Sequence, residues 1–153
     1  MLQENDKAPE FSSVDQHGKV IRLSDYRGKK VILYFYPKDN TPGCTEQSCN
    51  LRDNYTSLKR KGYEVLGISN DSEKSHLKFL TKFKLPFTLV VDEDKKIVNN
   101  YGVYGEKIFW GRKYMGILRT TFVIDEEGVI KKIIRKVDTK EHAQQIISEM
   151  AGC

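Results

Sequence analysis

No stretch of this chain approaches the roughly 20 consecutive apolar residues that a membrane-spanning helix needs. The opening Met1-Leu2-Gln3-Glu4-Asn5-Asp6-Lys7 also lacks the apolar core of a secretory signal. A soluble, cytoplasmic protein with no membrane partner is therefore expected. Cysteine is scarce: three in 153 residues, with only Cys44 and Cys49 close together. An odd, sparse set is not the framework of a small disulfide-stapled secreted domain, and it suits thiol chemistry in a reducing compartment. No second cysteine pair accompanies Cys44-x4-Cys49, and His17, His76 and His142 stand far apart in sequence, so no zinc site is expected. Phosphate loops, dinucleotide fingerprints, repeats and low-complexity segments are absent as well.

What is present is enough for one core. With 39% hydrophobic and 31% charged residues the chain reads as a single domain over residues 1–153. The net charge of +5 raises the question of nucleic acid. Its densest basic stretch, Lys131-Lys132-Ile133-Ile134-Arg135-Lys136, flanks an Ile pair and has no interleaved aromatics for base stacking. It reads as a solvated, charge-protected strand, and no nucleic-acid partner is expected.

Hydrophobic periodicity gives an alternating order of elements. Residues 11–14 and 19–22 form a short hairpin around Asp15-Gln16-His17-Gly18, and Val31-Ile32-Leu33-Tyr34-Phe35-Tyr36 is apolar on both faces, as a central strand should be. A helix follows with Thr41 as N-cap and Pro42 at its first position, ending near Lys61-Gly62. Then come a strand at 63–69, a helix at 72–84 carrying Leu77, Leu80 and Phe83, and a strand at 87–91. A short helix over 96–101 precedes a Gly- and aromatic-rich loop at 103–115, whose course the pattern does not give. Strands at 121–125 and 129–137 make an antiparallel hairpin, and 139–150 a closing helix. The sum is an α/β chain of thioredoxin-like architecture: a central mixed β-sheet flanked by helices, with an N-terminal β-hairpin.

Cys44 lies where the central strand hands over to the helix. Backbone N–H groups and the positive end of the helix dipole converge there, which favours a thiolate and so a nucleophile. Cys44, Ser48, Leu51, Tyr55 and Leu58 form one helical stripe facing the sheet, whereas Cys49 shares another face with Arg52, Asp53, Thr56 and Arg60. Five residues of helix place the two cysteines roughly 140° and about 7.5 Å apart along the axis. Their Cα atoms would then be roughly 8 to 9 Å apart, beyond the usual disulfide limit of about 7 Å. If the two thiols bond, the first turns of the helix must unwind.

The run Pro37-x-x-x-Thr41-x-x-Cys44 resembles the active-site signature of peroxiredoxins. Thr41-Pro42-Gly43-Cys44-Thr45 followed by Cys49 is similar to the peroxiredoxin Q class, the bacterioferritin comigratory proteins. The likeness extends over Ala8-Pro9-x-Phe11, Leu23-Ser24-Asp25-Tyr26-Arg27-Gly28-Lys29, Phe35-Tyr36-Pro37, and the run from Gly116-Ile117-Leu118-Arg119-Thr120-Thr121 to Phe122-Val123-Ile124-Asp125. The resemblance implies a peroxidatic Cys44 that becomes a sulfenic acid and a resolving Cys49 that condenses with it to an intramolecular disulfide. It implies that Thr41 hydrogen-bonds thiolate and peroxide, that Arg119 sits beside Cys44 and stabilises charge on the oxygens, and that Pro37 shields the site.

Hydrogen peroxide and alkyl hydroperoxides are the implied substrates, with a thioredoxin-like or glutaredoxin-like reductant, no bound cofactor or metal, and a monomer or weak dimer. Two other readings are weighed against this. A thiol–disulfide oxidoreductase would show Cys-x-x-Cys and a proline where Thr120 stands. A peroxide-responsive redox sensor would react once, whereas a peroxidase turns over. Cys153, following Met150-Ala151-Gly152, reads as an unremarkable end residue; resolving another subunit's Cys44 would change the mechanism's class.

Overall fold

Residues 30–36 lie at the centre of the structure, a computed structural model that describes residues 1–151. The strand Lys30–Phe35 (β3) pairs in parallel with Tyr63–Ser69 (β4) on one side and antiparallel with Thr120–Ile124 (β8) on the other. Thr88–Val91 (β5) and Ile130–Ile134 (β9) complete a five-stranded sheet in the order β5-β4-β3-β8-β9. Ser12–Val14 (β1) and Val20–Arg22 (β2) form the separate N-terminal hairpin.

The two-residue period of β3 sorts its side chains into two cores. Val31, Leu33 and Phe35 face a layer built from the N-terminal segment and the short helix Lys96–Asn100 (α4), with Phe11, Leu23, Val98 and Tyr101 among its members. Ile32, Tyr34 and Tyr36 face the other layer, where Cys44, Leu51, Leu58, Phe79 and Ile146 are buried. Helices Pro42–Asp53 (α1), Tyr55–Arg60 (α2), Glu73–Phe83 (α3) and His142–Ala151 (α5) supply that layer. Gly67 on β4 sits opposite Tyr34, and a Cβ there would lie 2.8 Å from the tyrosine ring, so only glycine lets the ring cover the strand.

Four expectations need correction. The helix after Cys44 is interrupted at Asn54, whose Nδ2 donates to the Asn50 carbonyl (2.8 Å) and competes with the backbone ladder. In α3 the buried residues are His76 and Phe79, and Leu77 is exposed. The helix packs on the sheet through a histidine that pattern-reading treats as polar. Residues 103–115 are not a loop: Tyr104–Phe109 (β6) and Arg112–Ile117 (β7) form an antiparallel hairpin. Finally, α5 starts at His142 because Asp138 accepts from the amides of Lys140 and Glu141 and holds a turn there.

His142 also fixes α5 to the sheet. Gln145 Nε2 donates to the Lys136 carbonyl (2.8 Å), so its Oε1 accepts from His142 Nδ1–H (2.9 Å), and His142 Nε2 accepts from the Thr121 hydroxyl (2.8 Å). The ring is neutral and fully buried; burial, helped by the nearby Arg119 charge and opposed by the Gln145 bond, lowers its pKa to about 4. The folded state thus binds a proton less readily than the unfolded chain, whose histidine titrates near about 6.5. Stability from this group is complete above that pH and is lost as pH falls towards 4, by about 3 kcal/mol in all. Urea denaturation at pH 7 and pH 4.5 should show this loss in the native protein and most of it removed in His142→Asn.

Candidate active site

The backbone after β3 turns sharply before it becomes α1. Tyr36 N still donates to the Ile68 carbonyl (3.1 Å), extending the ladder. Asn40 then adopts φ 60°, a left-handed conformation that asparagine tolerates better than most residues, and Thr41 returns to extended geometry (φ −96°, ψ 157°) as the residue before the helix. Pro42 occupies the first helical turn, as expected, so Cys44 is the third residue of α1. Its side chain is fully buried, with Ser48, Leu51 and Leu58 buried along the same stripe and Tyr55 half-buried.

Arg119 reaches Cys44 from the segment between β7 and β8. Its Nη2 donates to Cys44 Sγ at 3.4 Å and its Nη1 to Gln47 Oε1 at 2.6 Å. The two contacts fix the guanidinium plane, which a single bond would leave free to rotate. The backbone on either side is pinned: Leu118 N donates to Val103 O (2.7 Å) and Thr120 Oγ1 to Leu118 O (2.8 Å). Gly43 leaves room for this guanidinium, because a Cβ there would stand 3.1 Å from Arg119 Nη2. A positive group is thereby held against the sulfur on a helix N-terminal turn, a combination that stabilises a thiolate and, later, negative charge on an attacked oxygen.

Thr41 departs from expectation in detail. Its hydroxyl does not cap α1; it donates to the Lys38 carbonyl at 2.8 Å. With the proton so committed, the oxygen's lone pairs are what it can offer a peroxide O–H. Pro37 is half-buried and lines a cavity of about 270 Å³ together with Tyr104, Lys107, Tyr114, Met115 and Ile117. The hairpin at 104–117 thus contributes Tyr104 and Tyr114 to a recess beside Pro37, while Phe109 and Trp110 at its tip face solvent.

Cys49 lies within α1 on a face apart from Cys44, half-exposed, and both thiols are free. Burial raises the Cys49 pKa, with Asp53 adding to the shift and Arg52 opposing it. Cys153 lies outside the described residues.

Two neighbours of Cys44 escaped the sequence reading. Gln47, three residues on, is fully buried and holds Arg119, and its Nε2 has no hydrogen-bond partner among the described residues. Its signal was there: an amide one turn after the cysteine, on a stripe otherwise fit for the core. Lys107 donates from Nζ to the Ile117 carbonyl (2.9 Å), and its pKa is lowered by burial and by Arg119, with Cys44 opposing. It is a second cation whose charge is felt at Cys44, and only the hairpin fold brings it there. The structure also groups Asp39, Asp71 and His76, whose ligand-capable atoms lie within 4.8 Å of one another. Hydrogen bonds within the protein already occupy these groups: Tyr36, Ser75 and His76 on Asp39, Ser69 and the Asp39 amide on Asp71, and the Val90 carbonyl on His76. The cluster reads as a closed network.

Comparison with known proteins finds relatives over nearly the whole chain. Residues 5–133 match the model of the AhpC/TSA family. The chain is 47% identical over 149 residues to a putative peroxiredoxin bcp of Coxiella burnetii, covering 97% of this chain and 99% of the relative. It is 44% identical over 147 residues to peroxiredoxin Bcp of Escherichia coli K12, covering 96% and 94%. Among solved structures, Xylella fastidiosa PrxQ superposes with a TM-score of 0.92 at 29% identity, covering 99% of this chain and 97% of that one. The Xanthomonas campestris bacterioferritin comigratory protein, studied for alkyl peroxide reduction, superposes with a TM-score of 0.86 at 32% identity, covering 93% and 90%. With its thioredoxin-like fold and a match along almost its whole length, the chain belongs to the AhpC/TSA family as a peroxiredoxin of the Bcp type, a thiol peroxidase.

Proposed function

We propose that Cys44 is the thiol that attacks the peroxide and Cys49 the thiol that resolves it. The Cys44 thiolate displaces at the outer peroxide oxygen; the O–O bond breaks, the sulfur gains that oxygen as a sulfenic acid, and the departing alkoxide or hydroxide takes up a proton. Cys49 then attacks the Cys44 sulfur, a disulfide forms within the chain, and water leaves. A dithiol of the thioredoxin or glutaredoxin type reduces the disulfide and returns both thiols. Hydrogen peroxide and alkyl hydroperoxides are the substrate class.

The observation that carries this reading is the Arg119 guanidinium held between Cys44 Sγ and Gln47 Oε1 in the buried first turns of α1. An inert core cysteine has no need of a fixed cation at its sulfur. Thr41 accepts from the peroxide O–H, Arg119 carries the charge that builds on the oxygens, and Pro37 keeps bulk water from one side of the sulfur.

The test is one equivalent of hydrogen peroxide added to fully reduced protein, quenched within seconds by an alkylating agent, with the cysteines mapped by mass spectrometry. A Cys44–Cys49 disulfide within one chain is expected, absent in Cys44→Ser. Three thiols that all remain alkylatable would overturn the assignment, and a link to Cys153 would keep the chemistry but transfer resolution to the chain terminus.

A further inference from the structure

Asp39 sits at the middle of the segment that carries Pro37 and Thr41 and leads into Cys44. Its side chain is buried in the body of the protein. Tyr36 donates to Oδ1 at 2.6 Å, Ser75 donates to Oδ2 at 2.8 Å, and His76 Nδ1 lies 2.7 Å from Oδ2. The other ring nitrogen, His76 Nε2, lies 2.8 Å from the carbonyl oxygen of Val90. The His76 side chain is 0% exposed and that of Asp39 3%.

A carbonyl oxygen only accepts, so Nε2 carries a proton. Nδ1 faces a carboxyl group that already receives hydrogen bonds from two hydroxyls, the arrangement that favours an ionised carboxylate. The third donor to that carboxylate is then Nδ1–H. We propose that His76 and Asp39 form a buried imidazolium–carboxylate pair that holds and electrically neutralises the 37–41 segment, making His76 a positioning residue for peroxide reduction.

The contacts around the pair show what it positions. The Asp39 amide donates to Asp71 Oδ2 (2.8 Å), which also receives Ser69 Oγ (2.6 Å), so backbone and side chain of Asp39 are both tied down. The next residue is Asn40 at positive φ, whose Oδ1 accepts from Lys82 (3.2 Å), and beyond it Thr41 closes on Lys38. The geometry of Thr41 is thus built outward from Asp39. Tyr36, which donates to Asp39, stacks on Tyr34 (centroids 5.4 Å apart), and the Tyr34 hydroxyl meets Ser48 Oγ at 2.9 Å, one turn of α1 beyond Cys44. One network therefore spans β5, α3, the 37–41 segment, β3 and α1.

Charge matters as much as tethering. A buried carboxylate next to this turn would oppose any negative charge on Cys44 or on an attacked oxygen, and the field of an uncompensated buried charge is poorly screened. The imidazolium cancels it. A neutral pair of similar shape should do the same work, whereas removing the cation alone should not.

The inference rests on Cys44 being the reacting thiol, and the test separates the two ideas. The nitrogen-15 spectrum of the His76 imidazole in reduced native protein at neutral pH, assigned by its loss in His76→Gln, should show protons on both ring nitrogens. The rate constant for Cys44 oxidation by hydrogen peroxide, measured where each protein is folded, should fall by at least about tenfold in His76→Gln. It should return to within about threefold of native in His76→Gln combined with Asp39→Asn.

A single ring proton on His76, a His76→Gln protein that oxidises at the native rate, or a double variant no faster than the single one each overturns the pair's role. Should His76→Gln fail to fold, the native spectrum and the double variant against native protein still decide. If native Cys44 itself resists peroxide, the functional assignment falls, while the spectrum still judges the ion pair.

Discussion

Replacing Arg119 with Met should slow Cys44 oxidation by hydrogen peroxide by about 10²–10³-fold, the usual cost of removing one fixed donor from a site where negative charge develops. Arg119 faces the sulfur through one nitrogen and is braced by Gln47 through another, so both its charge and its orientation are in place before the peroxide arrives. Arg119→Lys should recover only part of the loss. An ammonium on a flexible stem can meet Cys44 Sγ or Gln47 Oε1 but does not reproduce the two parallel bonds of a guanidinium. Competition against a peroxidase of known rate, with the fraction of oxidised Cys44 read after quenching, gives the rate constants directly. A Met variant within about threefold of native would mean that the α1 N-terminus alone activates the thiol, and the place of Arg119 beside the sulfur would be structural.

The contrast between what the sequence discloses and what it hides follows from how far each interaction reaches along the chain. β3 was legible because six apolar residues in a row, Val31 to Tyr36, leave no other reading, and β4 was legible to the residue because Gly62 and Asn70 bound an apolar run. The reactive turn was legible because Pro42 marks the first turn of a helix directly after an apolar strand, which is a purely local signal. The 104–117 hairpin was not. Ile108 and Phe109 are neighbours on one strand, point to opposite faces and are both more than 60% exposed, so no polar–apolar alternation marks the strand. Nor could any local rule show that His76 of α3, polar by type, would be buried against Asp39 of the segment before α1. Charges that meet across 37 positions of chain are decided by tertiary packing, and the support around Cys44, from Lys107 to Asp39, is of that kind.

Cys49→Ser should leave the first oxidation of Cys44 at the native rate and abolish turnover with a dithiol donor, because the step it removes comes after the O–O bond is broken. In the reduced fold both cysteines lie inside the unbroken helix α1 and both are free. An α-helix of that spacing holds the two Cα atoms roughly 8 to 9 Å apart, and a disulfide needs less than about 7 Å. The helix must therefore open between Pro42 and Cys49, roughly two turns. The raised pKa of Cys49 reinforces the order of events. While the helix is intact the resolving thiol stays protonated and is a poor nucleophile; once the turn unwinds it loses the burial that causes the shift and can ionise.

Disulfide formation is accordingly a step that should quicken as pH rises above neutral. Far-UV circular dichroism of native protein oxidised by one equivalent of peroxide should lose the signal of about two helical turns, and Cys49→Ser treated alike should not. If the oxidised native protein kept its full helical signal while mass spectrometry showed the Cys44–Cys49 bond, the bond would have formed without unwinding. The spacing argument would then fail at its premise that α1 is rigid between the two sulfurs. Unwinding would also bring the Cys44 sulfur away from Arg119 and out of the buried layer, so one movement both makes the bond and presents it to the reductant.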